Sequence, residues 1–395
     1  MKLQAFVNKL KGDRPIWVLV CVLSLISLLA VYSSISSLAY KYHDGNTFHF
    51  LLKHGLMLVT GFGIMIMVHR VNHKYFYKLS QIAVWLAALL LVITLFFGTS
   101  INGASRWMTI PIINQNFQTS DFAKIALITY LARMLSLKHD KIRNFKEGVL
   151  PMVIPIAVIC ALILPANFST AALLFISSMV VMMVAGVRLV HILGIIGMAV
   201  AGFALLIMIN TVNPEIMTRA ATWKSRTISF FSEKPAGEEA KNIRENYQVE
   251  MAKIAIWNGG TLPNLPGSGT SRNYMPHPYS DMIYAFIIEE YGSILGGLGL
   301  LLAYLILFFR TVKISAKSDK NFPAFLVIGL GFMITFQAMI NMAVAVNLIP
   351  VTGQPLPLVS MGGTSIWFTC LALGIILSVS RSLEASGGNK AVGFA

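Results

Sequence analysis

The sequence predicts an all-α polytopic membrane protein of about ten transmembrane helices, with a large extracytoplasmic loop between the seventh and the eighth. Three observations carry this reading. Hydrophobic residues make up 56% of the 395 residues and charged ones 12%, whereas about a quarter of a soluble domain is charged. Apolar runs of bilayer length recur from one end of the chain to the other. The cationic residues gather in short segments between those runs, a pattern that orients helices in a membrane.

In chain order, the spans fall at roughly 16–39, 50–68, 79–98, 120–137, 149–165, 168–187, 189–212, 282–309, 323–348 and 364–380. The first follows Lys2, Lys9, Lys11 and Arg14. It is too long for a signal-peptide core and lacks a cleavage site, so it reads as an uncleaved helix. With the N-terminus in the cytoplasm, Arg70, Lys74, Lys78, Arg133, Lys138, Lys141, Arg143, Lys146, Arg188, Arg310, Lys313, Lys317, Lys320, Arg381 and Lys390 fall on that same side. The short outer loops then hold only Lys41, Lys53, Arg106 and Lys124, so both termini are expected in the cytoplasm.

The chain reads as a single membrane domain over 1–395, and residues 213–281 are its one large outer loop. Within that loop Ile243, Tyr247, Met251 and Ile254 recur at helical spacing, giving an amphipathic helix over about 242–258 that closes at Gly259 and Gly260. Read alone, it suits a solvated loop with a surface helix lying on the membrane as well as it suits a functional element. A crossing rich in Pro263, Pro266, Gly267 and Gly269 leads back to the eighth span. The uncharged segment PVTGQPLPLVSMGGTS, residues 350–365, breaks the helical pattern beside the bilayer. It is expected to fold back into protein at membrane depth, where irregular backbone is tolerated only when buried or lining a cavity.

Other classes fall away on the same grounds. A formal charge of +15 would suit nucleic acid, but no basic segment alternates with aromatics as a single-strand groove requires. Cys21, Cys160 and Cys370 lie scattered in apolar runs without redox or metal spacing. The histidines form no zinc motif, so no dedicated metal site is expected.

Charges inside or beside spans mark the candidate chemistry. Asp121 and Lys124 share one face of the fourth span and are expected to pair; the alternatives are a first-turn acid and a snorkelling lysine. Glu289 and Glu290 lie within the eighth span and must find partners or take up protons. Asp281 stands where the large loop meets that span, and the residues alone leave it between a helix cap and a functional acid. Gly292, Gly296, Gly297 and Gly299, and then Gly329, Gly331 and Ala338, suit close helix packing, either inside the bundle or against a partner's helix.

Short motifs along nearly the whole chain carry a resemblance. NGASRW at 102–107 is similar to NGARRW, QTSDFAKIALI at 118–128 to QPSEFAKLALI, and Asn167-Phe168-Ser169-Thr170-Ala171 to a PDFGTA turn. Tyr247-Gln248, Ala255, Gly259-Gly260, Gly267 and Gly269 follow the same loop pattern. PHPYSDMIYAFIIEEYG at 276–292 resembles LPEAHTDFIFAIIGEELG, and NLIPVTGQPLPLVSMGGTS at 347–365 resembles PVTGLPLPFISYGGSS. These are the motifs, in order, of the SEDS family (shape, elongation, division, sporulation) of peptidoglycan glycosyltransferases. The last motif resembles division-type, FtsW-like members more than RodA-like elongation members. Three departures stand out: Pro165-Ala166-Asn167 for Gln-Pro-Asp, His277-Pro278-Tyr279 for Glu-Ala-His, and Met361 for Tyr.

The resemblance implies a polymerase of the bacterial inner membrane, acting at the division septum. It would transfer a glycan strand from undecaprenyl pyrophosphate to the GlcNAc 4-hydroxyl of lipid II. The family's catalytic Asp falls on Asp281, the base that a sugar hydroxyl needs. Arg106, Lys124, Arg219, Lys224 and Arg226 are candidates to face the departing pyrophosphate, with Gly267, Gly269 and Trp107 as further substrate-binding candidates. Trp107 reads equally as an aromatic anchor at headgroup level. Asp121, Asn167, Tyr247, Gln248, His277, Pro350, Gly353, Ser360, Gly362 and Gly363 are expected to support the site. No second carboxylate pairs with Asp281, which fits single displacement. No cofactor is implied, although a divalent cation could bridge the pyrophosphate. The chain has no transpeptidase signature, so the implied partner is a class B penicillin-binding protein, alongside other division proteins. The alternatives are an elongation polymerase and a lipid II flippase; a transporter would be expected to show an internal repeat, and none is evident.

Overall fold

Long apolar runs with no water to bond must satisfy their backbone internally, and helices do so within one segment. In the computed structural model, which describes residues 11–35, 47–101, 104–110, 115–212, 223, 226, 230, 240–264, 266–275 and 278–392, each expected span is largely helical over its described residues. The elements are α1 (Arg14–Ser34), α2 (Thr47–Arg70), α3 (His73–Phe97), α4 (Thr119–Leu137), α5 (Leu150–Ile163), α6 (Phe168–Val184) and α7 (Leu189–Val212). Then come the loop helix α8 (Ala240–Gly259), α9 (Ile283–Tyr291), α10 (Gly299–Ala316), α11 (Asn321–Ala345) and α12 (Ser365–Val392). Among the described residues, 8 helical stretches are long and apolar enough to cross a membrane, with α9 and α10 counted as one. The protein is polytopic, as the composition requires. Asp13, Asn72 and Asn167 accept N–H bonds at the starts of α1, α3 and α6, as capping residues do.

The helices gather around α11. Its most apolar stretch is 72% buried, against 11% for α7, which packs against α6 and otherwise stands at the edge. Close approach is what Gly329 and Gly331 supply. A Cβ on Gly329 would lie 2.7 Å from Ile128 of α4, and one on Gly331 would lie 2.3 Å from Thr311 of α10. Ala338 is fully buried, and Gly296 and Gly297 face Ile287 and Ile288. Gly296, Gly297, Gly329, Gly331 and Ala338 therefore pack helices within the bundle.

Three features differ from the expectation. The connection between α3 and α4 holds a three-stranded antiparallel sheet, β1 (Thr99–Ile101), β2 (Ala104–Ile110) and β3 (Gln115–Gln118), with Trp107 of the middle strand opposite Thr99 and Gln118. Strands this short give no readable period. The eighth span is not continuous: Gly292 at φ +74° ends α9, and a π-helical turn, Gly292–Leu298, precedes α10. The break receives the chain that follows α8, since Ser293 N–H donates to the Gly260 carbonyl at 3.0 Å. Finally, α8 packs on α9 through fully buried Ala252 and Ala255, while Tyr247 and Ile254 of its apolar stripe stay exposed.

Candidate active site

The uncharged segment 350–365 is folded into the protein, and side chains from three helices and Arg226 satisfy its backbone. Asn341 Nδ2 donates to the Gln354 carbonyl at 2.8 Å and Gln337 Nε2 to the Pro355 carbonyl at 3.0 Å, both from α11. Tyr304 of α10 donates to the Pro357 carbonyl, Ser27 of α1 to the Val359 carbonyl at 2.8 Å, and Arg226 to the Val351 carbonyl at 3.1 Å. Met361 N–H donates to the Tyr279 carbonyl at 3.0 Å. Carbonyls left bare at membrane depth would cost several kcal/mol each, so these donors allow the fold-back. Leu358 takes φ +65°, a left-handed conformation costly for a branched side chain, and the bonds on either side of it hold it there.

The same segment grips Asp281. Ser360 Oγ donates to the Ser280 carbonyl at 2.8 Å, and Asn341 Nδ2 also donates to the Asp281 carbonyl at 2.8 Å. Ser280 Oγ donates to Asp281 Oδ1 at 2.8 Å. A Cβ on Gly353 would come within 3.4 Å of Asp281 Oδ2, so the absent side chain leaves the carboxylate room. Asp281 is half-buried and stands two residues before α9. The cap position belongs to Met282, and no side chain makes a capping bond there.

A chain of buried polar groups runs from this point into the bundle. Lys124 Nζ pairs with Asp121 Oδ1 at 2.9 Å and donates to Gln337 Oε1 at 2.9 Å. Lys124 is 5% exposed, so it faces α11 and does not snorkel. Gln337 and Asn341 are one helical turn apart, and together they connect α4, segment 350–365 and Asp281. Asn167, which stands where the family pattern has an acid, keeps the capping function through Thr170 N–H at 3.3 Å. Thr170 Oγ1 in turn accepts from Gln354 at 2.8 Å. Arg106 Nε donates to the Ala166 carbonyl at 2.7 Å, which ties the sheet to the α5–α6 turn.

A second cluster fixes the glycine-rich crossing. Glu289 Oε1 accepts from Thr270 N–H, Ser271 N–H and Ser271 Oγ at 3.1, 3.1 and 2.8 Å. Glu290 pairs with Arg272 at 2.5 Å and accepts from Ser33 of α1. Arg272 reaches the Gly267 carbonyl at 2.6 Å, and Gly269 lies against the Glu289 carboxylate. Both intramembrane carboxylates have thus found partners, and Gly267 and Gly269 shape the loop around them.

Of the remaining expected residues, Trp107 lies in β2, Tyr247 and Gln248 lie on α8, and Pro350, Gly362 and Gly363 flank the fold-back. Arg219, Lys224 and His277 lie outside the described residues. Sequence reasoning passed over Gln337, Asn341, Gln354, Ser27 and His54. His54 is 2% exposed and bonds Ser27 at 2.8 Å. Ser27 has one proton and gives it to Val359, so the imidazole Nε2 must be the donor. The available signal was polar side chains in apolar spans, above all Gln337 and Asn341 four residues apart. Among the described residues, no group of three His, Cys, Asp or Glu side chains converges.

Known proteins share this layout. Residues 13–385 match the family described as cell cycle protein, FtsW/RodA/SpoVE. A probable peptidoglycan glycosyltransferase FtsW of Geobacter sulfurreducens is 30% identical over 382 residues, 95% of this chain and 96% of its own length. Stage V sporulation protein E of Bacillus subtilis is 30% identical over 388 residues, 95% of this chain and 98% of its own. The crystal structure of the Thermus thermophilus rod shape determining protein RodA superposes with a TM-score of 0.67 at 21% identity, covering 95% of this chain and 98% of that one. A chain from a peptidoglycan synthase complex, described as coordinating polymerization and crosslinking, gives 0.71 at 21% identity over 94% and 98%.

Proposed function

The chain belongs to the FtsW/RodA/SpoVE family, and from that premise we propose that it polymerises peptidoglycan glycan strands, with Asp281 as the general base. The observation that supports this most is the scaffold around Asp281: α11 and segment 350–365 bond its backbone, and the residue stays half-buried beside Gly353. The base abstracts the proton of the GlcNAc 4-hydroxyl of lipid II as the oxygen attacks the anomeric carbon of the lipid-linked strand. The bond to undecaprenyl pyrophosphate breaks in the same displacement, and the anomeric centre inverts. Positioning and proton removal are each worth orders of magnitude in rate. Lys124 acts through Gln337 on the scaffold, while Arg226, Arg219 and Lys224 are the cations offered to the departing pyrophosphate.

Both termini lie in the cytoplasm in this reading, with Asp281 outside, where the sugars are. The FtsW-named relatives favour a role at the division septum over side-wall elongation. A transpeptidase of the class B penicillin-binding type is the partner, since glycan strands without crosslinks make no wall. Purified chain supplied with labelled lipid II tests the reading. Polymer supports it; translocation across vesicles without polymer makes the chain a flippase, and neither outcome from a folded protein, with or without the transpeptidase, sets the reading aside.

A further inference from the structure

Asn341 bonds Asp281 and the segment that faces it at the same time. It stands near the end of α11, the helix around which the bundle gathers, and is 1% exposed. Its Nδ2 donates to the Asp281 carbonyl and to the Gln354 carbonyl, each at 2.8 Å. Both partners are acceptors, so the nitrogen of the carboxamide, and not its oxygen, must face them. The amide nitrogen carries two protons, and both are used here. Oδ1 is buried and accepts no hydrogen bond among the described residues, so the residue's bonds at this place are its two donations.

The two carbonyls lie outside helices and strands. Asp281 stands two residues before α9, at a helix start that no side chain caps. Gln354 belongs to the irregular fold-back and follows Gly353. Gly353 takes φ +66°, a conformation that favours glycine. Its backbone stands against the Asp281 carboxylate, since a Cβ there would lie 3.4 Å from Oδ2. One carboxamide therefore fixes both the backbone that carries the acid and the backbone that walls its carboxylate. The helix presenting it is itself held in register, because Gly329 and Gly331 seat α11 closely against α4 and α10.

Such a grip bears on rate more than on binding. A base must stand within hydrogen-bond reach of the proton it takes, and a misplacement of about 1 Å can cost on the order of a hundredfold in rate. Resting on the reading of Asp281 as general base, we propose that Asn341 is a positioning residue for the glycosyl transfer. It sets the distance between the Asp281 carboxylate and the wall at Gly353, and so the place where the acceptor hydroxyl meets the base. It touches no substrate and moves no proton. Removing or lengthening the grip displaces the base and leaves the contacts to lipid and pyrophosphate in place.

The test measures kcat and KM for labelled lipid II, using the full chain purified with its cognate transpeptidase, and thermal unfolding of the same preparations. Asn341→Leu keeps the volume and removes both donors. Asn341→Gln keeps both donors and lengthens the side chain by one carbon. Gly331→Ala, about 15 Å along α11 from Asn341, crowds α10 and controls for lost stability alone. Asn341→Leu should lose on the order of a hundredfold in kcat, with KM within about twofold of wild type. Asn341→Gln should unfold no earlier than Gly331→Ala and still lose about tenfold in kcat. Gly331→Ala should keep its kcat despite a lower midpoint. Where Asn341→Leu does not fold, Asn341→Gln decides. A folded Asn341→Gln with wild-type kcat overturns the assignment, as does a loss that appears in KM alone or one that Gly331→Ala shares. Failure of both Asn341 variants to fold makes the residue structural and overturns it too. A wild type that makes no polymer removes the glycosyltransferase reading and this assignment with it.

Discussion

Asp121 and Lys124 show what a buried pair does to its neighbours. Their side chains are 6% and 7% exposed, and Asp121 Oδ2, the oxygen not paired with Lys124, accepts no hydrogen bond among the described residues. Lys124→Ala leaves that carboxylate buried without its partner, a change that costs about 3–5 kcal/mol. The expected outcome is a lower thermal unfolding midpoint in detergent, with much of the loss recovered by adding Asp121→Asn. No recovery would mean that Lys124 matters for itself and not for its pairing. His54 makes the milder case. His54→Ala removes the donor to Ser27 and should cost about 1–3 kcal/mol, whereas His54→Gln keeps an N–H at nearly the same reach and should unfold close to wild type. The sequence made the Asp121–Lys124 pair legible because the two share one helix face, but it could not show that Lys124 also reaches Gln337. That contact joins residues 213 apart in the chain, which no local spacing encodes.

Elements were legible where one period runs long. The spans and α8 followed from apolar length and from 3.6-residue repeats, whereas the sheet at 99–118 and the break at Gly292 did not. The break is set by a tertiary contact: a Cβ on Gly292 would lie 2.6 Å from the Leu262 backbone, and φ there is +74°. The face of α8 that meets α9 was not legible for a related reason, because it is made by Ala252 and Ala255, small residues that let α9 approach. Size also governs α11. Gly331→Ala would place its Cβ against Thr311 of α10, and overpacking of this kind costs about 1–3 kcal/mol. Thermal unfolding should fall accordingly, and Thr311→Gly should restore part of it. An unchanged midpoint for Gly331→Ala would show that α10 and α11 are not held in this register.

At the scale of the molecule, the account requires one end for sugar chemistry and the other in the cytoplasm. Ser268 lies in the exposed glycine-rich crossing and Lys317 at the far end of α10. A cysteine at Ser268 should react with an impermeant maleimide added outside cells stripped of any outer barrier, and one at Lys317 only after permeabilisation. The reverse pattern would invert the molecule and remove Asp281 from its substrate. Composition made the membrane class readable, and the motifs made Asp281 a candidate. The scaffold that holds it was not readable, because its donors come from α1, α10, α11 and Arg226, far apart in sequence. The most direct measurement of the central claim compares wild type with Asp281→Asn in purified complexes with the cognate transpeptidase, using labelled lipid II. Asn keeps the volume, the bond from Ser280 and the backbone bond from Asn341, and no cap is at stake. The account predicts a stably folded, membrane-inserted variant that makes no glycan polymer while wild type does; polymer at near wild-type rate from Asp281→Asn would contradict it.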